Sequence, residues 1–147
     1  MIGLLQRVSK ASVAVDGARI AAIGRGLLVL VGVERTDGAA QARRLAERLL
    51  AYRVFPDAAG KMNLSVLDIG GEVLLVPQFT LVADTSSGNR ASFSRGADPG
   101  AGKRLFEQLV VECEALHDRV AVGRFGAAMQ VALTNDGPVT FWLKVDA

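Results

Sequence analysis

MIGLLQRVSKASVAVDGARIAAIGRGLLVLVGVE, Met1 to Glu34, decides the fold class. Its first half mixes apolar and polar positions, is rich in β-branched residues, and ends at Asp16-Gly17. That dipeptide favours a two-residue hairpin, because both positions tolerate positive φ. ARIAAIGRG returns from the turn, and LLVLVGVE then runs on without a polar break, as a strand buried on both faces does. Three successive strands are expected.

Downstream the period changes. Asp37 is positioned to cap a helix through AAQARRLAERLLAYR, in which Ala42, Leu45, Ala46, Leu49 and Arg53 recur at helical spacing. FPDAAGKMN reads as a turn, and EVLLVPQFTLV as another buried strand that Pro77 ends or bulges. ADTSSGNRASFSRGADPG is the longest polar and small-residue stretch, and a loop of that length in a compact domain is usually functional. It closes on Asp98-Pro99, a cap followed by proline at the first helical position. Leu105, Phe106, Leu109, Val110, Cys113 and Leu116 form the apolar stripe of a second helix. RVAVGRFGAAMQVALTN and PVTFWLKV return to strand patterning, and the last pair is joined across Asn135-Asp136-Gly137-Pro138. This order predicts an α+β fold: a curved, mainly antiparallel β-sheet or small barrel with two outer helices.

Composition narrows the function. A chain of 147 residues suits one domain and buries about two thirds of the surface of its unfolded form. Its apolar runs fall far short of the ~20 residues of a membrane span, and no secretory apolar region opens it. A cytoplasmic protein without a membrane partner is expected. The lone Cys113 has no disulfide partner, and with the lone His117 it cannot supply a zinc site's ligands. Neither metal nor cofactor is expected. The net charge of +2, from 17 Lys and Arg against 15 Asp and Glu, permits phosphate contact without demanding it. Arg43, Arg44 and Arg48 cluster on the first helix and read as a solvated face.

Few side chains offer chemistry. Cys113 lies on an apolar stripe, and His117, near a helix end, has no partner in a recognisable nucleophile motif. Thr80 follows Pro77-Gln78-Phe79 where a buried strand ends, a place that can face a cleft, yet no base is visible beside it. Glu112 and Glu114, two apart on a helix, point different ways. Asp84, Asp98 and Asp136 read as turn and cap residues, and no phosphate-binding glycine motif is present. Asn135-Asp136-Gly137-Pro138-Val139-Thr140 admits two readings: a hairpin turn whose proline restarts an edge strand, or a backbone that is itself the functional group.

Pro77-Gln78-Phe79-Thr80-Leu81 and Asn135 to Thr140, with MIGLLQRVSKASV, GKMNLSV and GRFGAAMQVALTNDGPVTFWL, resemble D-aminoacyl-tRNA deacylases over the whole chain. The resemblance implies a single deacylase domain over residues 1–147. It also implies a metal-free homodimeric hydrolase that cleaves the ester between a D-amino acid and the 3′-terminal adenosine of tRNA, and glycine mischarged on alanine tRNA. Gly137-Pro138 would be cis, would enter the partner subunit's active site and would reject L-amino acids. Gln78, Phe79 and Thr80 would line the catalytic pocket. Two positions depart from the family pattern: Pro77 replaces a serine, and Ala91 replaces the proline of Arg-Pro-Ser-Phe. Two alternatives stand beside this reading. One is a related deacylase with altered chiral preference; the other is a non-enzymatic nucleic-acid-binding module presenting Arg43, Arg44, Lys103 and Arg104.

Overall fold

The computed structural model describes residues 1–147. Along the chain come β1 (Ile2–Val15), β2 (Ala18–Ile23), β3 (Gly26–Gly32), α1 (Ala39–Ala51), β4 (Phe55–Pro56), β5 (Met62–Leu64), β6 (Glu72–Pro77), α2 (Pro99–Leu116), β7 (Val120–Val122) and β8 (Gln130–Lys144). A 3-10 turn, Phe79–Val82, follows β6.

The three expected strands form as read. Asp16 and Gly17 have φ of 49° and 79°, the pair of positive values that a type I′ hairpin turn needs. β2 and β3 then follow one another along one side of β1, in a single register from Val13 opposite Ala21 to Ile2 opposite Gly32. β8 runs antiparallel along the other side. Beyond β3 the pairing changes sense: β6 is parallel to β3 and β7 parallel to β6, so the sheet is mixed. β2 approaches β6 and β7, which curls the sheet almost into a barrel.

Alternation along β3 and β6 explains their unbroken apolar runs. Leu27, Val29, Val31, Val73 and Leu75 pack under α1 and α2. Leu28, Leu74 and Val76 point the other way and join Val8, Ala11, Val13 and Ile23 in a second core. Each such side chain contributes about 1.5–3 kcal/mol when fully buried.

α1 buries Ala42, Leu45, Ala46, Leu49 and Leu50, but two expectations about it fail. Its N-cap is Gly38, because the Asp37 carboxylate is taken by the Met1 ammonium at 2.6 Å and the Glu34 N–H at 2.7 Å. Arg53 lies past the helix end and is exposed. α2 starts as expected, with Asp98 Oδ1 accepting from the Ala101 N–H at 3.0 Å and Pro99 in its first turn. Leu116, the last residue of α2, is 51% exposed, outside the stripe proposed for it. FPDAAGKMN holds more than a turn: β4 and β5 pair across it.

The largest correction falls at Asn135-Asp136-Gly137-Pro138. No hairpin forms there. β8 is continuous through these residues, since the segments before and after them both pair with β1. No helix is long and apolar enough to cross a membrane.

Candidate active site

β3, β6 and β7 end together at one edge of the sheet, and there the chain opens a cavity of about 510 Å³. Carboxyl ends of parallel strands commonly face ligands, because the chain must leave the sheet there and its turns stay free to line a crevice. Pro77 is the last ladder residue of β6, and the Gln78 N–H still reaches Val31 O at 2.8 Å before the backbone turns away. Val31, Val76, Pro77, Gln78 and Phe79 form one wall. Phe93, Gly96 and Ala97 from the long polar loop, Pro99, Gly102 and Phe106 from α2, and Phe125, Gly126, Ala127 and Met129 before β8 complete it.

Two aromatic rings stand open at this site. Phe79 is 67% exposed and Phe93 48% exposed, with ring centroids 5.3 Å apart and planes tilted by 45°. Paired rings left facing solvent beside an apolar cavity suit a flat heterocycle. Thr80 lies next to the wall without lining it; its hydroxyl accepts from Gln78 Nε2. In the 3-10 turn the first hydrogen bond runs from the Leu81 N–H to Gln78 O, 3.2 Å. The N–H groups of Phe79 and Thr80 precede that bonded series, as at any helix start.

The second motif is an outward bulge. One residue of β1, Arg7, stands between Gln6 and Val8, whereas Asp136 to Val139 stand between their partners Thr140 and Asn135. The surplus chain cannot stay in the ladder. Asn135 closes the base of the bulge by accepting from the Val139 N–H at 2.9 Å and donating to Thr140 Oγ1 at 2.9 Å. Buried Val139 anchors the returning chain, while Gly137 and Pro138 are left exposed at the tip with a cis peptide bond between them. At Gly137, φ is +139°, and a Cβ would come within 2.6 Å of Val139 Cγ2, so only glycine fits without strain. Arg7 props the bulge from below: Nε donates to Asp136 O at 3.0 Å, Nη1 donates to Val54 O at 2.7 Å, and the Asp136 carboxylate lies 3.4 Å away.

The two motifs do not meet within one chain. Arg7, under the bulge, pairs with Leu27, whereas Gln78 is bonded to Val31 at the other end of β3. Four residues of strand separate them by ~13 Å along the sheet, with further strand spacings of ~4.8 Å across it.

The remaining nucleophile and acid/base candidates are otherwise engaged. Cys113 is fully buried, and burial foremost, with the charges of Glu112 and Glu114, pushes its thiol up to about 12. His117 Nε2 lies 2.6 Å from Gly71 O, which can only accept, so that nitrogen carries a proton and fastens α2 to the turn before β6. Asp84 is held below the ordinary carboxylate range by hydrogen bonds from Ser86 and then by the Arg95 charge, so it stays an anion. Glu112 accepts from Gln108 and pairs with Arg43. No group of three or more His, Cys, Asp or Glu side chains is arranged to hold a metal ion.

Arg7, Phe93 and the Phe125–Met129 turn were not expected at the site, and Phe106 was expected only on the apolar stripe of α2. Arg7 carries no signal of its own, because its importance comes from β8 lying opposite it, more than a hundred residues later. Phe93 was detectable as an aromatic residue inside an otherwise polar loop.

Comparison with known proteins bears on the family and the fold. A family model described as D-Tyr-tRNA(Tyr) deacylase matches residues 4–144. A D-aminoacyl-tRNA deacylase of Thioalkalivibrio sulfidiphilus is 61% identical over 145 residues, covering 99% of this chain and 97% of the relative. Its counterpart in Methylococcus capsulatus is 60% identical over 144 residues, covering 98% and 94%. Among solved structures, one described as a c-Myc DNA unwinding element binding protein superposes with a TM-score of 0.95 at 36% identity, covering all of both chains. Another, of a probable eukaryotic D-amino acid tRNA deacylase, has a TM-score of 0.84 at 16% identity over 98% of each chain, a likeness of fold.

The state of Cys113 gives a direct check that it takes no part in chemistry. Its folded value of about 12 exceeds the ordinary 9.0, so folding favours the neutral thiol. That contribution to stability is present in full below the unfolded value and is lost as pH rises through the folded one. Iodoacetamide at mildly alkaline pH should therefore label Cys113 in urea but not in the native protein, and the labelling rate, followed by mass spectrometry, should rise only as the fold opens. Rapid native labelling with loss of activity would make the thiol a reactive group.

Proposed function

Since the chain belongs to the D-aminoacyl-tRNA deacylase family, and is thereby an ester hydrolase acting on D-aminoacyl-tRNA, we propose that two copies build its active site together and that backbone reads the chirality of the amino acid. The observation that carries this reading is the separation of the two motifs along β3, together with the outward bulge of Gly137-Pro138. A group that projects from the fold yet belongs to a site elsewhere must be delivered to another molecule. The edge strand β8 suits such a contact, since Val131, Leu133 and Trp142 are exposed along it and its second edge has no strand partner.

In the assembled site the cavity beside Phe79 receives the 3′-terminal adenosine, and the ester lies against Gln78, Phe79 and Thr80. The N–H groups of Phe79 and Thr80 face the carbonyl oxygen as negative charge develops, each good donor contributing ~3 to 4 kcal/mol to the transition state. An aminoacyl ester is already activated, so positioned water attacks without a protein nucleophile. The 2′-hydroxyl of the ribose assists the proton transfer. Thr80, held by Gln78, positions the substrate.

Main-chain carbonyls of Gly137 and Pro138 from the partner copy receive the substrate's α-ammonium group, a charge-assisted contact. The wall they form occupies the space an L side chain would need, so selection works by exclusion. Glycine has nothing to exclude, and a glycyl ester on alanine tRNA is hydrolysed too.

Three measurements test this. Purified protein assayed on matched D-, L- and glycyl-tRNAs should release D-amino acid and glycine and leave the L ester intact; comparable turnover of the L ester would sink selection by exclusion. Thr80→Ala should keep activity within about tenfold of the parent, the scale of losing one positioning contact of ~1.4 kcal/mol, whereas complete loss with tRNA binding intact would make Thr80 a nucleophile. Finally, Gln78→Ala with Phe79→Ala on one copy and Gly137→Val on the other should each be inactive alone. Mixed dimers should recover activity, because one of their two sites then holds both intact motifs. Absence of recovery in verified mixed dimers would place both motifs' action within one chain.

A further inference from the structure

Five cations that the hydrolysis itself does not use stand on the segments that line the cavity. Arg35, Arg90, Arg95, Lys103 and Arg124 are all exposed, and each lies within three residues of one that lines the cavity. The surrounding contacts bring these segments together. The Arg35 N–H donates to Arg95 O at 2.9 Å, and Glu34 bridges to the cavity residue Gly96. Asp84 pairs with Ser92 and so folds the loop that carries Arg90 back toward Phe93. Lys103 follows Gly102 on α2, and the Arg124 N–H lies 3.4 Å from the sulfur of the cavity residue Met129.

Their charges are left largely unmatched. Among the five only Arg95 has an ion-pair partner, Asp84 at 3.3 Å. The one acidic residue in the cavity wall, Asp98, is committed to the N–H of Ala101. By contrast, the arginines that stand out in the sequence, Arg43 and Arg44, are paired with Glu112 and Glu47. Uncompensated like charges around an opening repel one another, an arrangement stabilised when a polyanion lies across them.

The geometry points to this rim as the docking surface for the phosphates of the single-stranded 3′ end of tRNA. The nucleotides preceding the terminal adenosine cross the mouth of the cavity with their phosphates on Arg90, Lys103 and Arg124 and their bases outward. The assignment rests on the proposed reading of the cavity as the adenosine site. It adds that tRNA is held by charge at the rim, without readout of base sequence.

The test combines binding and turnover in the full-length protein. Arg90→Gln, Lys103→Gln and Arg124→Gln together should weaken binding of deacylated tRNA, read by fluorescence anisotropy. They should also flatten the slope of log affinity against log salt by about 2 to 3, near 0.7 to 0.9 for each phosphate contact removed. KM for D-aminoacyl-tRNA should rise about tenfold or more. Hydrolysis of a D-aminoacyl ester of free adenosine, which has no phosphate, should stay at the parent rate. Arg43→Gln with Arg44→Gln should change neither slope nor KM. Parent-like affinity and slope in the triple variant would overturn the assignment. So would equal loss on the adenosine ester, which places the effect inside the cavity, or blunt duplex DNA binding with the same slope change, which shows no match to a single-stranded end. A parent protein that bound tRNA at this rim yet hydrolysed no ester would refute the proposed function and leave the rim assignment standing.

Discussion

The ladder along β1 constrains everything else. One side of this strand is filled by β2 and β3, in one register from Ile2 to Val13, and the other by β8, so most residues of β1 have a strand partner on both sides. A buried strand cannot yield that pairing cheaply, because an unsatisfied buried peptide group costs ~1–3 kcal/mol. Surplus residues in β8 therefore leave the sheet, so that the strand on both sides of them keeps its pairing with β1. That is how Asp136 to Val139 come to stand out opposite Arg7 alone, with Asn135 and Thr140 fastening the two sides of the exit. The Asn-Asp-Gly-Pro-Val-Thr sequence is thus explained position by position: a staple at each end, a prop contact at Asp136, an anchor at Val139, and the exposed pair between.

The same ladder governs the other motif. β3 is fixed by β1, and β6 is fixed by β3 in parallel, so Pro77 falls level with Val31 and the chain must leave the sheet there. Proline has no N–H for a further ladder bond, and the following turn carries Gln78 to Thr80 out beside the cavity. Proline at that position is compatible with the exit, since the bond that holds it is donated by the Gln78 N–H to Val31 O. The motifs are held at opposite ends of one rigid frame, and no side-chain motion of ordinary size brings them together.

Much of this frame was legible in the sequence, for reasons that are local. The Asp16-Gly17 turn, the two-faced burial of Gly26–Gly32, the Asp98-Pro99 helix start and the amphipathic stripe of α1 each depend on residues close together in the chain. What was not legible depended on distant partners. Asp37 has the chemistry of a cap, but the Met1 ammonium and the Glu34 N–H claim its carboxylate. Asn-Asp-Gly-Pro has the chemistry of a hairpin turn, but β1 pairs with both of its flanks and makes it a bulge. The parallel sense of β6 and β7 leaves no mark in their apolar runs, which are the same in either direction. Within the site, Gln78 and Phe79 could be placed at a strand end, but the meeting of Phe79 with Phe93, from a loop with no regular structure, required the fold.

The division of labour follows from what each kind of group does well. Side chains suit the cavity, where, under the proposed reading, open rings and an apolar wall accept one invariant nucleoside. If the amino acid is not invariant, as the proposed reading has it, the site cannot fit a pocket to any one side chain. It needs a feature common to all D-amino acids, and the shared features are the ammonium group, the ester carbonyl and the handedness of the carbon between. A flexible side chain set to judge that handedness would move aside for the wrong substrate at a cost of only ~0.5–1.5 kcal/mol, the scale of a rotamer change. Backbone tied into a ladder at Asn135 and Thr140 and supported by Arg7 has no such escape, since moving it means breaking several hydrogen bonds at once. Under the proposed reading, strictness toward L-amino acids and indifference to side-chain identity thus have one source, the stiffness that β1 imposes on β8.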